Sequence, residues 1–274
     1  MSPSISKRNN VKIIGSGDRT LMLAHGFGCD QNMWRYVVPA FENDYRIVLF
    51  DYVGCGKSDQ SAYNPNRYNN LNGYAQDIIE VAEELQLTNV TFVGHSVSCI
   101  IGILAYIQKP GLFNSMILIG PSPRYINDET YQGGFSQGDL EELLDVMEKN
   151  YIGWANFLAP IVMKNDERPE LTQELEESFC STDPVITKRF ARVTFFSDNR
   201  SDLSKVDIPV LVLQCSEDAI APDFVGEYVA ERIIGSKYVK MEATGHCPHL
   251  SHPEETIHNM KNFLTELQAV AKHE

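Results

Sequence analysis

The feature that most limits what this chain can fold into is a short turn, Gly94-His95-Ser96-Val97-Ser98, caught between two uninterrupted apolar runs. Residues 90–93 (VTFV) read as a strand buried on both faces. Residues 97–108 are apolar almost throughout and stop before Pro110, as a buried helix would. A buried strand turning directly into a buried helix needs other strands beside it and other helices over it. That requirement points to a parallel sheet covered on both sides.

The flanking sequence repeats the alternation. Residues 11–14 and 20–24, joined by Gly15-Ser16-Gly17, read as two short strands in a hairpin, followed by a His25-Gly26-Phe27-Gly28 loop. Residues 46–50 (RIVLF) give another buried strand, Tyr74, Ile78, Val81 and Leu85 recur at helical spacing, and residues 116–119 give the next strand. From 122 to 205 no strand is legible. Apolar positions there fall at Leu140, Leu143, Leu144 and Met147, then Trp154, Phe157, Leu158 and Ile161, and Asp183-Pro184 has the form of an N-cap with proline at the first helical position. Strand and helix then resume at residues 210–214, 224–233 and 238–241, with a closing helix from Glu254. The expectation is an α/β fold with a mostly parallel central sheet and helices on both faces. Residues 1–121 and 206–274 build that core, and 122–205 form a helical lid. A chain of 274 residues suits one domain with such an insertion.

Composition narrows the function. The formal net charge of −14 repels phosphate backbones and anionic lipid surfaces, so neither nucleic acid nor membrane is an expected partner. The six cysteines include no C-x-x-C pair and no disulfide-like spacing, and are read as reduced. The first residues, MSPSISKRNN, lack the apolar stretch of a signal peptide, and no run approaches a membrane span, so a cytoplasmic location is expected. Gly54-Cys55-Gly56 lacks the spacing of a phosphate cradle and reads as a turn. No metal site and no cofactor site is visible.

The chemistry concentrates at strand ends. A serine hydroxyl is a weak nucleophile until it is exposed on a tight turn within reach of a base, with a helix N-terminus to stabilise developing negative charge. Ser96 has that context, although Ser98 replaces the glycine that usually closes such an elbow. His246, in Gly245-His246-Cys247-Pro248-His249, follows the last strand, where a general base belongs in the order Ser, Asp, His. His249 and His252 are neighbouring rivals, read as structural. Asp218 or the adjacent Glu217 would orient the imidazole, and the position of Asp218 beside Ala219-Ile220-Ala221-Pro222 favours it weakly. The backbone N–H groups of Val97 and Phe27 are the expected oxyanion donors.

With these residues placed, the chain resembles the α/β-hydrolases from end to end. More narrowly, LAHGFGCDQNMWRYV, VLFDYVGCGKSD, GHSVS, IGPSPRYIND, NYIGW, FCSTDPVI, FFSDNR and GHCPHLSHP resemble the RsbQ-type regulators of the sigma-B stress response. The plant strigolactone and karrikin receptors are similar in the same places, Ser98 included. The resemblance implies a triad of Ser96, Asp218 and His246, and a lid of four helices. It also implies an apolar pocket lined by Phe27, Tyr125, Phe135, Trp154, Phe195 and Ile220, with Leu158 where relatives often carry an aromatic. A PAS-domain serine phosphatase is the partner it implies.

The leading expectation is a serine hydrolase acting on a small hydrophobic ester or acyl ligand in the service of signalling. The same triad suits a metabolic carboxylesterase, a perhydrolase or a carbon–carbon bond hydrolase. Haloalkane dehalogenase and epoxide hydrolase chemistry would require aspartate at position 96. A ligand-gated binding module is the non-enzymatic alternative.

Overall fold

The structure, a computed structural model, describes residues 4–271. Its seven strands are β1 (Lys12–Ile14), β2 (Arg19–Ala24), β3 (Tyr45–Leu49), β4 (Val90–His95), β5 (Phe113–Ile119), β6 (Val210–Ser216) and β7 (Lys237–Thr244). They form one sheet in the order β1-β3-β2-β4-β5-β6-β7, in which only β1 runs antiparallel to its neighbour. The helices are α1 (Ile5–Arg8), α2 (Leu71–Glu84), α3 (Val97–Gln108), α4 (Gln137–Lys149), α5 (Tyr151–Met163), α6 (Pro169–Cys180), α7 (Pro184–Phe195), α8 (Asp223–Arg232), α9 (Pro248–Ser251) and α10 (Pro253–Ala271). Among the described residues no helix is long and apolar enough to cross a membrane.

Period-two alternation along each strand separates two cores. Met22, Ala24, Val48, Phe92 and Val212 face one side, where Ile78 of α2 and Ile100 and Ile103 of α3 cover them. Leu21, Leu23, Ile47, Val93 and Leu213 face the other, against Trp34 and the Met260, Phe263 and Leu264 stripe of α10. Because both faces are covered, the central strands carry apolar residues at nearly every position.

The expected hairpin between the first two strands does not form. β3 lies between β1 and β2, with Lys12 opposite Leu49 and Arg19 opposite Tyr45. The two glycines serve a crossing instead of a turn. A Cβ on Gly15 would stand 2.3 Å from the Tyr45 carbonyl, and one on Gly17 would stand 2.1 Å from that of Asp44, so the loop passes tightly over the entrance to β3.

Residues 122–205 carry α4 to α7, all four between β5 and β6. Ser136 and Asp139 make a reciprocal capping box that starts α4. The Asp183 carboxylate accepts from the N–H groups of Val185 and Ile186 and starts α7, with Pro184 at its first position. The insert has its own apolar cluster, built on Leu140, Leu144, Trp154, Leu171 and Phe179, which continues into Cys29, Ile220 and Cys247 at the loops above the sheet.

Candidate active site

Ser96 sits at the junction of β4 and α3 with φ 57° and ψ −125°, a conformation disfavoured for any residue with a side chain. The turn closes because Gly94 lacks a Cβ: one placed there would come within 2.8 Å of the Ser98 carbonyl group. Val97 opens α3, so its N–H has no intrahelical acceptor. The His25-Gly26-Phe27 loop passes directly alongside, and a Cβ on Gly26 would stand 3.4 Å from the Ser96 Cβ.

The Ser98 side chain does not wedge strand and helix apart. It is fully buried, donates to the His25 carbonyl and accepts a 2.9 Å bond from the Tyr52 hydroxyl. It thereby ties the start of α3 to the loop that carries Phe27.

Three residues from distant parts of the chain meet at this turn. The Ser96 hydroxyl and His246 Nε2 are 2.7 Å apart, and His246 Nδ1 stands 2.6 Å from Asp218 Oδ2. Asp218 Oδ1 accepts from the N–H groups of Ile220 at 2.8 Å and Ala221 at 3.0 Å, which fixes its plane. With its carboxylate so held, Asp218 takes the Nδ1–H of the imidazole and leaves Nε2 free to accept from Ser96. Glu217 points away, with 65% of its side chain exposed and a 2.7 Å ion pair to Lys164. The backbone of His246 is pinned on two sides: its N–H donates to the Val162 carbonyl of α5 at 2.8 Å, and its carbonyl accepts from His95 Nε2 at 2.7 Å.

The neighbouring histidines are structural. His249 is fully buried against Trp34 and His95, with ring centroids 4.7 and 4.4 Å away. Burial, and then the adjacent His246 and Arg35, hold it at about 3, so it stays neutral at physiological pH. His95 is likewise held well below the usual histidine value by burial and by His249. His252 bonds locally to the Ser251 hydroxyl at 2.9 Å.

A small cavity of about 30 Å³ borders Ser96 and His246. Phe27, Tyr125, Leu158, Phe195 and Ile220, all named by the resemblance, are among the residues that line it. Phe135 and Trp154, which the resemblance also named, do not border it. Trp154 is one layer back, 5.1 Å from Phe179 and 6.2 Å from Phe27 between ring centroids. Phe135 lines a separate outer groove of about 610 Å³ between α4, α5 and the Ala219-Ile220 segment. Leu158 and Ile220 border both spaces and so form the partition between groove and cavity.

The cavity also takes residues that sequence reasoning missed, among them Cys29, Cys247, Phe179 and Thr194. Thr187, Phe190, Ala191 and Thr194 recur at helical spacing, and that pattern alone places Thr194 on the inward stripe of α7. Burial pushes both cavity thiols well above their ordinary values, so neither offers a thiolate at neutral pH. Burial raises the Tyr125 phenol too, and Ser96 beside it offsets part of that rise. Among the described residues, no group of three or more His, Cys, Asp or Glu side chains is arranged to hold a metal.

A model of the alpha/beta hydrolase family matches residues 21–258 of this chain. The chain belongs to that family. This hydrolase is 39% identical to the strigolactone esterase D14 of Arabidopsis thaliana over 93% of its own length and 96% of the relative's. It is also 39% identical to the karrikin insensitive 2 receptor CA of Petunia hybrida, over 92% of this chain and 94% of that one. Among solved structures, a hydrolase from Oleispira antarctica superposes with a TM-score of 0.93 at 45% identity, covering 95% of this chain and 96% of the other.

Proposed function

We propose that this hydrolase cleaves a small, largely apolar ester or related acyl compound with Ser96 as nucleophile. The observation that carries the reading is the unbroken relay Ser96–His246–Asp218, with links of 2.7 and 2.6 Å, opening into a cavity walled by apolar side chains. As Ser96 Oγ attacks the carbonyl carbon, its proton passes to His246 Nε2, and Asp218 stabilises the imidazolium. The N–H groups of Val97 and Phe27 receive the negative charge that develops on the carbonyl oxygen. Collapse of the tetrahedral intermediate expels the alcohol, which takes the proton from His246. Water, deprotonated by the same imidazole, then releases the acid and restores Ser96. Residues 122–205 act as a lid over residues 1–121 and 206–274, and Leu158 and Ile220 must part to admit substrate.

We further infer a signalling role: positive regulation of the sigma-B energy-stress response together with a PAS-domain serine phosphatase. The motifs GHSVS, IGPSPRYIND, FCSTDPVI and GHCPHLSHP support it, as does the presence of a named receptor among relatives with 39% identity. The six free cysteines, five of them buried, fit a reducing cytoplasm. A ligand-gated binding module is the second reading. The nearly filled cavity favours it, because about 30 Å³ holds roughly two waters and restricts turnover to moments when the lid opens.

Hydrolysis of a short-chain p-nitrophenyl ester by the wild type, abolished in Ser96→Ala with an unchanged circular dichroism spectrum, is the expected result. Equal turnover by the variant refutes the assignment. A sigma-B reporter strain then separates the two readings: restoration by wild type but not by Ser96→Ala supports catalytic signalling, and restoration by both supports the binding module.

A further inference from the structure

One residue bordering the cavity carries a polar group that the chemistry above does not use. Thr194 lies on the buried stripe of α7, is 1% exposed, and borders the same cavity as Ser96 and His246. Its hydroxyl has no hydrogen-bond partner among the described residues. A helical threonine ordinarily bonds the carbonyl one turn back, here that of Phe190, and this one does not. Valine would fill the same volume without leaving a buried hydroxyl unpaired, so the threonine lowers stability unless something entering the cavity pairs with it.

The other polar groups at the cavity are accounted for. Ser96 and His246 bond each other, and the Tyr125 phenol lies beside Ser96. His95 Nδ1 is also unpaired, but a Cβ on Gly26 would come within 2.5 Å of it, so this nitrogen abuts backbone and not open space. Trp154 Nε1 is unpaired but does not border the cavity. Among the described residues no lysine or arginine lines the space, so a carboxylate or phosphate on the ligand would find no cationic partner there.

We propose that Thr194 is a specificity residue whose hydroxyl bonds a second, uncharged oxygen of the substrate, a ketone or hydroxyl remote from the scissile carbonyl. This rests on the hydrolase reading above and adds a substrate class to it: small esters or lactones that carry an additional oxygen on the acyl side. Both polar ends of such a ligand would be paired, one at the oxyanion donors and one at α7, with an apolar stretch between them.

The test compares p-nitrophenyl 4-oxopentanoate with p-nitrophenyl pentanoate, which share chain length and leaving group and differ by one ketone oxygen. Wild type is expected to favour the keto ester in kcat/KM. Thr194→Val should lower the keto-to-plain ratio by about five- to tenfold, the worth of one buried hydrogen bond, and Thr194→Ser should restore it. The ratio is read on Thr194→Val whose circular dichroism spectrum matches wild type, and on Thr194→Ser should Thr194→Val misfold, so that a general loss of folded protein does not enter it. A wild-type ratio near one, or a ratio that does not move in Thr194→Val, overturns the proposal. Should wild type hydrolyse neither ester, the hydrolase reading falls by itself. Affinities of wild type and Thr194→Val for methyl 4-oxopentanoate and methyl pentanoate then decide the role of Thr194 by the same ratio.

Discussion

Ser98→Ala removes one oxygen atom from the turn that carries Ser96, and its effect can be worked out from the contacts. The Ser98 hydroxyl is fully buried and serves two partners, donating to the His25 carbonyl and accepting from the Tyr52 phenol. Alanine leaves both partners in place, with that carbonyl and that phenol deprived of this bond in the interior. Each such loss costs about 1–3 kcal/mol, so the two together should make the variant about 2–6 kcal/mol less stable than wild type. The volume change is small and the helix propensity of alanine is favourable, so neither offsets the loss by more than about 0.5 kcal/mol. Equilibrium urea unfolding, followed by the fluorescence of buried Trp34 and Trp154, measures the difference, and the m-value should not change. A destabilisation below about 0.5 kcal/mol would refute the claim that Ser98 fastens the Phe27 loop to α3.

Asp218→Asn should lower kcat by about 10³- to 10⁴-fold, because the amide favours the wrong imidazole tautomer. Glu217→Gln, on the exposed neighbour, should leave ester hydrolysis within about twofold, as steady-state assays of both variants would show. Acid should destabilise the protein early, because His249 titrates at about 3 in the fold and His95 well below the ordinary value, while both titrate near 6.5 once unfolded. The unfolded chain therefore binds more protons below pH 6.5, so the stability these two residues confer is complete above that pH and is lost as pH falls toward 3. Unfolding free energy should drop between pH 7.5 and 5.5, by roughly 1 kcal/mol from His249 with a further fall from His95, and His249→Leu should remove the His249 share. A pH-independent urea midpoint over that interval would contradict the neutral, buried state of both rings.

Local signals carried most of the fold. The apolar run after Ser96 has the same limits as α3, and the Asp183-Pro184 signature opens α7 where it was expected. The failures are non-local. Whether Lys12–Ile14 pairs with β2 or β3 depends on backbone crossing Gly15 and Gly17 from residues 42–45, which no property of the strand itself encodes. At the site, sequence separates Asp218 from Glu217 only weakly, because the two carboxylates are adjacent. In the fold Glu217 takes a positive φ of 51°, and its carboxylate faces outward to Lys164 while that of Asp218 meets His246. The cavity wall was the least legible part. Trp154, Phe135 and Leu158 are all apolar insert residues. The roll of α5 sets Leu158 beside the cavity and Trp154 a layer behind it, while the segment before α4, bridged to Ile126, sets Phe135 in the outer groove. Thr194 was hidden for a different reason: an unpaired buried hydroxyl becomes visible only when the atoms around it are known.

Fluorophosphonate treatment followed by intact-protein and peptide mass spectrometry interrogates the reactive oxygen itself. The account predicts a single adduct per chain on the peptide containing Ser96, absent in Ser96→Ala and formed far more slowly in His246→Ala. An adduct on another residue, or equal labelling of wild type and Ser96→Ala, would contradict it.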